Sequence, residues 1–405
     1  MLKKTVKIFV FCAVFLTGFG VYVTTQIPHS LYCSQGENPH IASLPMVSLV
    51  PQNQTGTVAA NSSSQSLCYR AKLFGVVPVK TVSVTKDDRR SVLVAGTPFG
   101  IKMFSDGAMV VGFADIATSH GYRCPAQAAG IKTGDVIVGI NGITTRSNDD
   151  VERIIAQSGS APLQITLLRD EERMTVTVLP TTDVTTGSLR TGMWVRDSSA
   201  GVGTMTFYDV NKGMFAGLGH GIKDTDTQKD IRLLSGEIVP VKITGLAPSR
   251  NGQAGELKGI FTSNFATGRI MANSANGVYG NVFSVPEGSI MQVAQPQEIQ
   301  VGAAQMVTTI EGSVPKKYDI VIEKISLNST NHNKNMIIRI TDRELLDKTG
   351  GIVQGMSGSP IIQNGKLVGA VTHVFVNQVT RGYAVFAQNM VESMDTAQKE
   401  YSVVG

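Results

Sequence analysis

The run Gly355-Met356-Ser357-Gly358-Ser359-Pro360 sets a serine hydroxyl in a sharp turn between glycines. Glycine permits such a turn, and two N–H groups can then point at a developing oxyanion. A serine hydroxyl is a poor nucleophile until an imidazole takes its proton. That imidazole in turn needs a carboxylate to fix its tautomer and stabilise its cation. Of the histidines, His29 and His40 lie in a polar N-terminal stretch, His120 near a small-residue turn, and His332 in the turn-like Asn331-His332-Asn333-Lys334. His220 differs. In Ala216-Gly217-Leu218-Gly219-His220-Gly221-Ile222 it ends an apolar strand between glycines that allow close approach, a position suited to a general base. His373 is the competitor, better placed to line a specificity pocket or to satisfy a backbone group. The carboxylates on offer are Asp224, Asp226, Asp230, Asp319 and Asp342. Asp342 follows the apolar Met336–Ile340 and precedes Ser357 by fifteen residues, which puts it slightly ahead of Asp319. The competing reading is a Gly/Ser-rich turn with no chemistry.

The elements that must position these groups are short strands. After Ser357, Pro360–Gln363, the turn pair Asn364-Gly365 and Lys366–Thr372 form a hairpin pattern. Further strands are expected at 202–208, 214–218, 238–243, 269–273, 299–310, 317–325, 336–340 and 383–386. Strands at this spacing with glycine turns imply a barrel or sandwich. The 42% hydrophobic and 17% charged residues support sizeable cores in this 405-residue chain, and 42 glycines favour tight turns. A net charge of +5 without a long basic run gives no footprint for nucleic acid.

The N-terminus reads as export. Lys3, Lys4 and Lys7 precede an apolar stretch from Ile8 to Val23 with no clear cleavage site after it, the pattern of an uncleaved anchor, with a cleaved signal peptide the alternative. Residues 26–72, rich in Ser, Gln, Asn and Pro, read as an exported linker accessible to proteolysis. Cys33, Cys68 and Cys124 match no metal spacing, and no metal or cofactor is expected.

Between residues 80 and 182, Ala129-Gly130-Ile131-Lys132-Thr133-Gly134-Asp135-Val136-Ile137-Val138-Gly139-Ile140-Asn141-Gly142 is followed by a helix starting near Ser147 and by strands at 163–169 and 174–179. This resembles a PDZ domain of the bacterial, HtrA-like arrangement. The resemblance implies that Phe99-Gly100-Ile101 is the loop whose N–H groups cradle a peptide C-terminal carboxylate, with the peptide added as a strand. Core packing is an equal alternative for Phe99 and Ile101.

The order of apolar anchor, PDZ domain, Gly-Leu-Gly-His-Gly-Ile and Gly-Ile-Val-Gln-Gly-Met-Ser-Gly-Ser-Pro-Ile-Ile resembles the SpoIVB peptidases of endospore-forming bacteria. That resemblance implies a mainly β chain with an anchor over 1–25, a linker with a self-cleavage region over 26–79 and a PDZ domain over 80–182. A chymotrypsin-like two-barrel serine peptidase domain would then occupy 183–400. It assigns the triad to His220, Asp342 and Ser357, and the oxyanion hole to the N–H groups of Gly355 and Ser357. It implies a membrane-associated endopeptidase between the forespore membranes that cleaves itself and a membrane-bound regulator of an intramembrane protease, leading to activation of a late sigma factor. Met356 stands where trypsin-like zymogens carry an aspartate, so activation by an N-terminal ion pair is not expected. The alternative from another class is a PDZ scaffold carrying an inactive barrel. A quality-control protease like HtrA usually carries its PDZ domain after the peptidase domain, the reverse of the order here.

Overall fold

The computed structural model describes residues 17–34, 36–52, 66–86, 88–170, 172–224, 227, 233–263 and 265–404. Two antiparallel barrels form its centre. In the first, Pro98–Phe113 pairs with Met193–Asp209, which continues through Met214–Gly217, Gly277–Val282, Gly268–Ser274 and Leu233–Ala247, and this last strand returns to pair with Pro98–Phe113. The second is a closed barrel of Gly302–Thr308, Lys316–Ile325, Met336–Ile340, Arg381–Phe386, Lys366–Val374 and Pro360–Gln363. Strict alternation makes these strands: Met336, Ile338 and Ile340 are buried while Ile337 and Arg339 are not. Phe99, Ile101, Met103, Phe215, Leu218, Ile238 and Val278 fill the first barrel, and Met306, Ile320, Ile338, Met356, Ile361 and Val371 fill the second.

A helix over Ala387–Val404 closes the back of the junction. Its Met390, Val391 and Met394 pack with Phe207 and Met214 of the first barrel and Val307 and Leu367 of the second. The spacing of those residues is a helical stripe.

The PDZ unit is inserted into the first barrel. Pro98–Phe113 and Met193–Asp209 run side by side from Thr204↔Pro98 to Met193↔Phe113, so their far halves leave the barrel and enter the PDZ sheet. Ala108, Val110, Ile131, Ile137, Ile140, Val151, Ile154, Leu163, Ile165 and Leu167 form the PDZ core, with Met193 and Val195 packed against it. The helix Asn148–Gln157 begins at Ser147, whose side chain accepts from the Asp150 N–H.

This arrangement corrects the peptide loop expected at Phe99, Gly100 and Ile101. All three lie inside a strand paired on both sides, with Gly201–Gly203 on one edge and Ile238–Pro240 on the other. Phe99 and Ile101 are buried in the barrel core, and a Cβ on Gly100 would meet Phe261 at 2.5 Å and Val239 at 2.7 Å. No N–H row is left for a carboxylate. Residues 80–105 accordingly belong to the N-terminal sheet and the first barrel, and the PDZ unit starts near Gly107.

The expected linker is also largely folded. Ser30–Cys33, Val77–Lys86, Ser66–Leu73 and Val47–Pro51 form a sheet in that order. Leu31, Cys33, Val47, Ala71, Leu73, Val82 and Val84 line its buried face. Short alternating apolar positions separated by polar residues sufficed for half-buried strands. Val23 and Ile27, at the end of the apolar N-terminal stretch, join this core. The stretch up to residue 16 lies outside the described residues, among which no helix is long and apolar enough to cross a membrane.

Candidate active site

Each barrel contributes one wall. From the first, the strand Met214–Gly217 ends and the chain turns through Leu218 (φ 66°) and Gly219 (φ 69°) to present His220. A non-glycine residue such as Leu218 in the left-handed region is strained, and its conformation holds only because the surroundings fix it. The fixing contacts are visible: the Leu218 N–H donates to the Thr204 carbonyl, and Asn273 both accepts from the Ile222 N–H (2.8 Å) and donates to the Ile222 carbonyl (3.0 Å).

From the second barrel comes the loop carrying Ser357, with Gly355 at φ 96° and Gly358 at φ 92°. It is stitched to the first barrel. Thr204 donates its hydroxyl to the Gly355 carbonyl (2.8 Å) and its N–H to the Ser357 carbonyl (3.1 Å), and Thr206 donates to the Gly358 carbonyl (2.7 Å). These two threonines are positioning residues that sequence reasoning missed. Their signal was the alternation Thr204-Met205-Thr206-Phe207, which puts both hydroxyls on one face of a buried strand.

The two walls meet at Thr372. The Ser357 hydroxyl donates to the Thr372 carbonyl (2.8 Å), and a Cβ on Gly219 would lie 3.0 Å from the Thr372 methyl group. The next residue is His373, whose ring centroid lies 4.8 Å from that of His220 at an interplanar angle of 36°. His220, Ser357 and His373 are therefore gathered in one place, and Ser357 is only half-buried. The N–H groups of Gly355 and Ser357 have no acceptor among the described residues, whereas those of Met356, Gly358 and Ser359 are all bonded internally. Two unspent donors flank the hydroxyl.

Asp342 sits elsewhere. It caps the helix Arg343–Thr349, accepting from the Leu345 N–H (2.9 Å) and, more weakly, from the Asp319 N–H (3.4 Å). It makes no hydrogen bond with either imidazole. Asp224 pairs with Arg196, Asp319 is exposed, and Asp226 and Asp230 lie outside the described residues. The Nδ1 of His220 bonds instead to the Gly221 carbonyl at 2.8 Å. A carbonyl only accepts, so Nδ1 carries the proton and Nε2 keeps its lone pair.

Both imidazoles are pushed below the usual histidine range. Burial does this to His220, with the bond to Gly221 opposing it. For His373 burial leads, followed by the positive charges of His220, Lys334 and Lys223, and the result is about 4. Folded-state values below the unfolded value mean that the unfolded chain takes up protons first as pH falls. This part of the stability is complete above 6.5, the ordinary histidine value, and declines below it, toward about 4 for His373. An unprotonated base is available over the same range. The midpoint of thermal unfolding is expected to hold from pH 8 to about 6.5 and to decline below it, whereas peptidase activity, which follows the folded-state protonation of His220, is expected to persist to lower pH before it falls, as melting and rate measurements across pH would record.

Residues 187–391 match the model of the SpoIVB peptidase S55 family, and residues 121–169 match a PDZ domain. No curated protein matches the chain. Among solved structures the chain is similar to an HtrA-type protease, AlgW with a decapeptide, at 10% identity and a TM-score of 0.30. That likeness covers 50% of this chain and 55% of the other, so the chain spans about half the length of that structure.

Proposed function

Because the chain belongs to the SpoIVB peptidase S55 family, we propose that it is a serine endopeptidase with Ser357 as nucleophile and His220 as general base. The observation that carries this reading is the meeting of the His220 turn and the Ser357 loop at Thr372, beside two N–H groups without acceptors. A rotation of the Ser357 side chain exchanges the Thr372 carbonyl for the His220 imidazole. The hydroxyl proton then passes to Nε2 as Oγ bonds to the peptide carbonyl carbon. The alkoxide that forms takes the N–H groups of Gly355 and Ser357. Collapse breaks the C–N bond, His220 returns its proton to the leaving amine, and water hydrolyses the acyl-enzyme by the same relay. The scaffold alternative has no use for the unspent donors.

Family membership further supports a role in sporulation signalling. The chain would be exported, anchored or processed at its N-terminus, and act between the forespore membranes on itself and on a membrane-bound regulator. The strands Ser30–Cys33, Val47–Pro51, Ser66–Leu73 and Val77–Lys86 are tied into a sheet, whereas a scissile segment must lie extended in the cleft. Self-cleavage therefore falls best in the polar run 52–65 between those strands. N-terminal sequencing of wild type and Ser357→Ala tests this: processing in that run is expected only in the wild type, and identical processing in both would sink it.

The PDZ unit is proposed to bind peptide C-termini by strand addition. With Phe99–Ile101 excluded, one open edge of the PDZ sheet is Met193–Arg196, paired among the described residues only with Met109–Phe113 and carrying the chain's single tryptophan, Trp194, 64% exposed. A peptide with a free C-terminal carboxylate is expected to shift Trp194 emission saturably, while its amidated form does so at least about tenfold more weakly, the worth of a charge-assisted hydrogen bond pair.

A further inference from the structure

We propose that Ile352 and Val374 close the pocket for the side chain on the acyl side of the scissile bond, so that the peptidase cuts after small residues, of alanine or valine size. The inference deepens the reading of Ser357 as nucleophile and rests on it. Rotation of the Ser357 hydroxyl frees the Thr372 carbonyl. With the attacked carbonyl oxygen on the N–H groups of Gly355 and Ser357, the N–H of the same substrate residue can donate to Thr372, and the peptide begins to add as a strand. The edge it adds to continues past Thr372. The Phe375 N–H donates to the Arg381 carbonyl (3.0 Å), and Val374 stands opposite Gly382. The polar groups of successive residues in an antiparallel ladder face opposite edges, so the N–H and carbonyl of Val374 point away from Arg381–Phe386. They face the Ser357 side, where the pairing with Pro360–Gln363 has ended at Ala370. The substrate residue two positions before the acyl residue then pairs with Val374. Paired residues share a face and side chains recur on that face every second residue, so the acyl side chain lies on the face of Val374.

That face is already occupied. Gly382, the partner of Val374, also pairs with the buried Ile338 and so turns toward the interior of the second barrel. A Cβ on Gly382 would lie 2.6 Å from the Cδ1 of Ile352. Ile352 is 3% exposed, and Val374 is half-buried against the same core. The backbone of Ile352 is held from two sides: its N–H donates to the Val379 carbonyl (2.7 Å) and its carbonyl accepts from the Ser249 hydroxyl (2.7 Å). The isoleucine therefore stays where a deep pocket would otherwise open beside the oxyanion donors. What remains is a shallow apolar recess. A phenylalanine ring would have to displace Ile352, and a charged side chain would meet only methyl groups of Ile352 and Val374 on that face.

The test is the rate of covalent labelling of the full chain by peptidyl diphenyl phosphonates that differ only in the side chain next to phosphorus: that of alanine, valine or phenylalanine. In the labelling step Ser357 Oγ bonds to phosphorus, phenoxide leaves, and the hydroxyl proton passes to His220. The wild type is expected to react with the alanine and valine probes at least about 30-fold faster than with the phenylalanine probe. Ile352→Ala opens the recess and is expected to shrink that preference about tenfold or more, and Val374→Ala to shrink it about threefold or more. A wild type that takes the phenylalanine probe within about threefold of the alanine probe overturns the proposal, as does a preference unchanged in both variants. Should Ile352→Ala fail to melt cooperatively, Val374→Ala alone decides. A small fluorophosphonate, which needs no pocket, keeps the two readings apart. A wild type that it does not label, or labelling that survives Ser357→Ala, overturns the nucleophile assignment itself, whereas labelling lost only in Ser357→Ala leaves the probe preference as the measure of the pocket.

Discussion

Replacing Ser357 by alanine is expected to lower peptidase turnover by about 10⁴–10⁶-fold, and replacing His220 by alanine to lower it comparably. The reason is that the two groups act as one unit. The hydroxyl without the imidazole keeps its proton, and the imidazole without the hydroxyl has nothing to deprotonate. The double variant should therefore be no worse than either single one, which distinguishes a nucleophile–base pair from two residues with separate roles in folding. Residual turnover is expected from the N–H groups of Gly355 and Ser357, which neither substitution removes. The measurement is steady-state cleavage of a protein substrate together with thermal melting. Single variants that melt like wild type and still turn over at a tenth of its rate would refute the assignment.

Gly358→Ala is expected to produce the second largest effect, through geometry instead of chemistry. At φ 92° an L-residue is strained, and the added methyl would stand 2.1 Å from the Thr204 carbonyl oxygen and 2.4 Å from the Leu218 nitrogen. Those are backbone atoms that cannot swing aside. The strand bearing Thr204 and the turn bearing His220 must both retreat from the Ser357 loop, at a cost of roughly 3–5 kcal/mol from backbone strain and overpacking together. A fall of about 10 °C in melting temperature is expected. Activity is expected to drop more than about a hundredfold even well below that temperature, because a nucleophile displaced by an ångström no longer meets its base. Gly365→Ala is the control. Its φ of 73° is similarly strained, but nothing lies within 4 Å of the added methyl, so stability should fall slightly and activity hardly at all.

Much of this site was legible before any coordinates. The Ser357 turn, the His220 turn and the strands around them follow from glycine placement and from alternation strong enough to fix Met336–Ile340 to the residue. The carboxylate was harder to read. Asp342 at a strand end beside the nucleophile loop satisfies the pattern of an orienting acid, and equally that of a helix cap. Its oxygens go to the Leu345 and Asp319 N–H groups, a competition decided by the three-residue spacing to Leu345 that a capping aspartate prefers. Phe99-Gly100-Ile101 was ambiguous for a related reason. An apolar-Gly-apolar triplet serves a carboxylate-binding turn and a tightly packed strand alike, and only the two flanking strands tell them apart. The strands at 30–33 and 47–51 were hidden by their shortness within a stretch rich in Ser, Gln, Asn and Pro, and the helix over Ala387–Val404 by a stripe whose members, Met390, Val391 and Met394, are modest in number. Contacts formed between elements, such as the ring pair of His220 and His373, leave no trace in spacing along a single strand.

The continuous ribbon formed by Pro98–Phe113 and Met193–Asp209 has a consequence for how the molecule can be handled and how it could be controlled. The PDZ unit hangs from the peptidase domain by two staves of that domain's own cask, so no cut between residues 113 and 193 yields a separable module and an intact remainder. One end of that ribbon lies in the PDZ sheet, and the other bears Thr204 and Thr206, the two hydroxyls that brace the Ser357 loop. In such a design the two units share a single beam, so a twist imposed at one end is expected at the other.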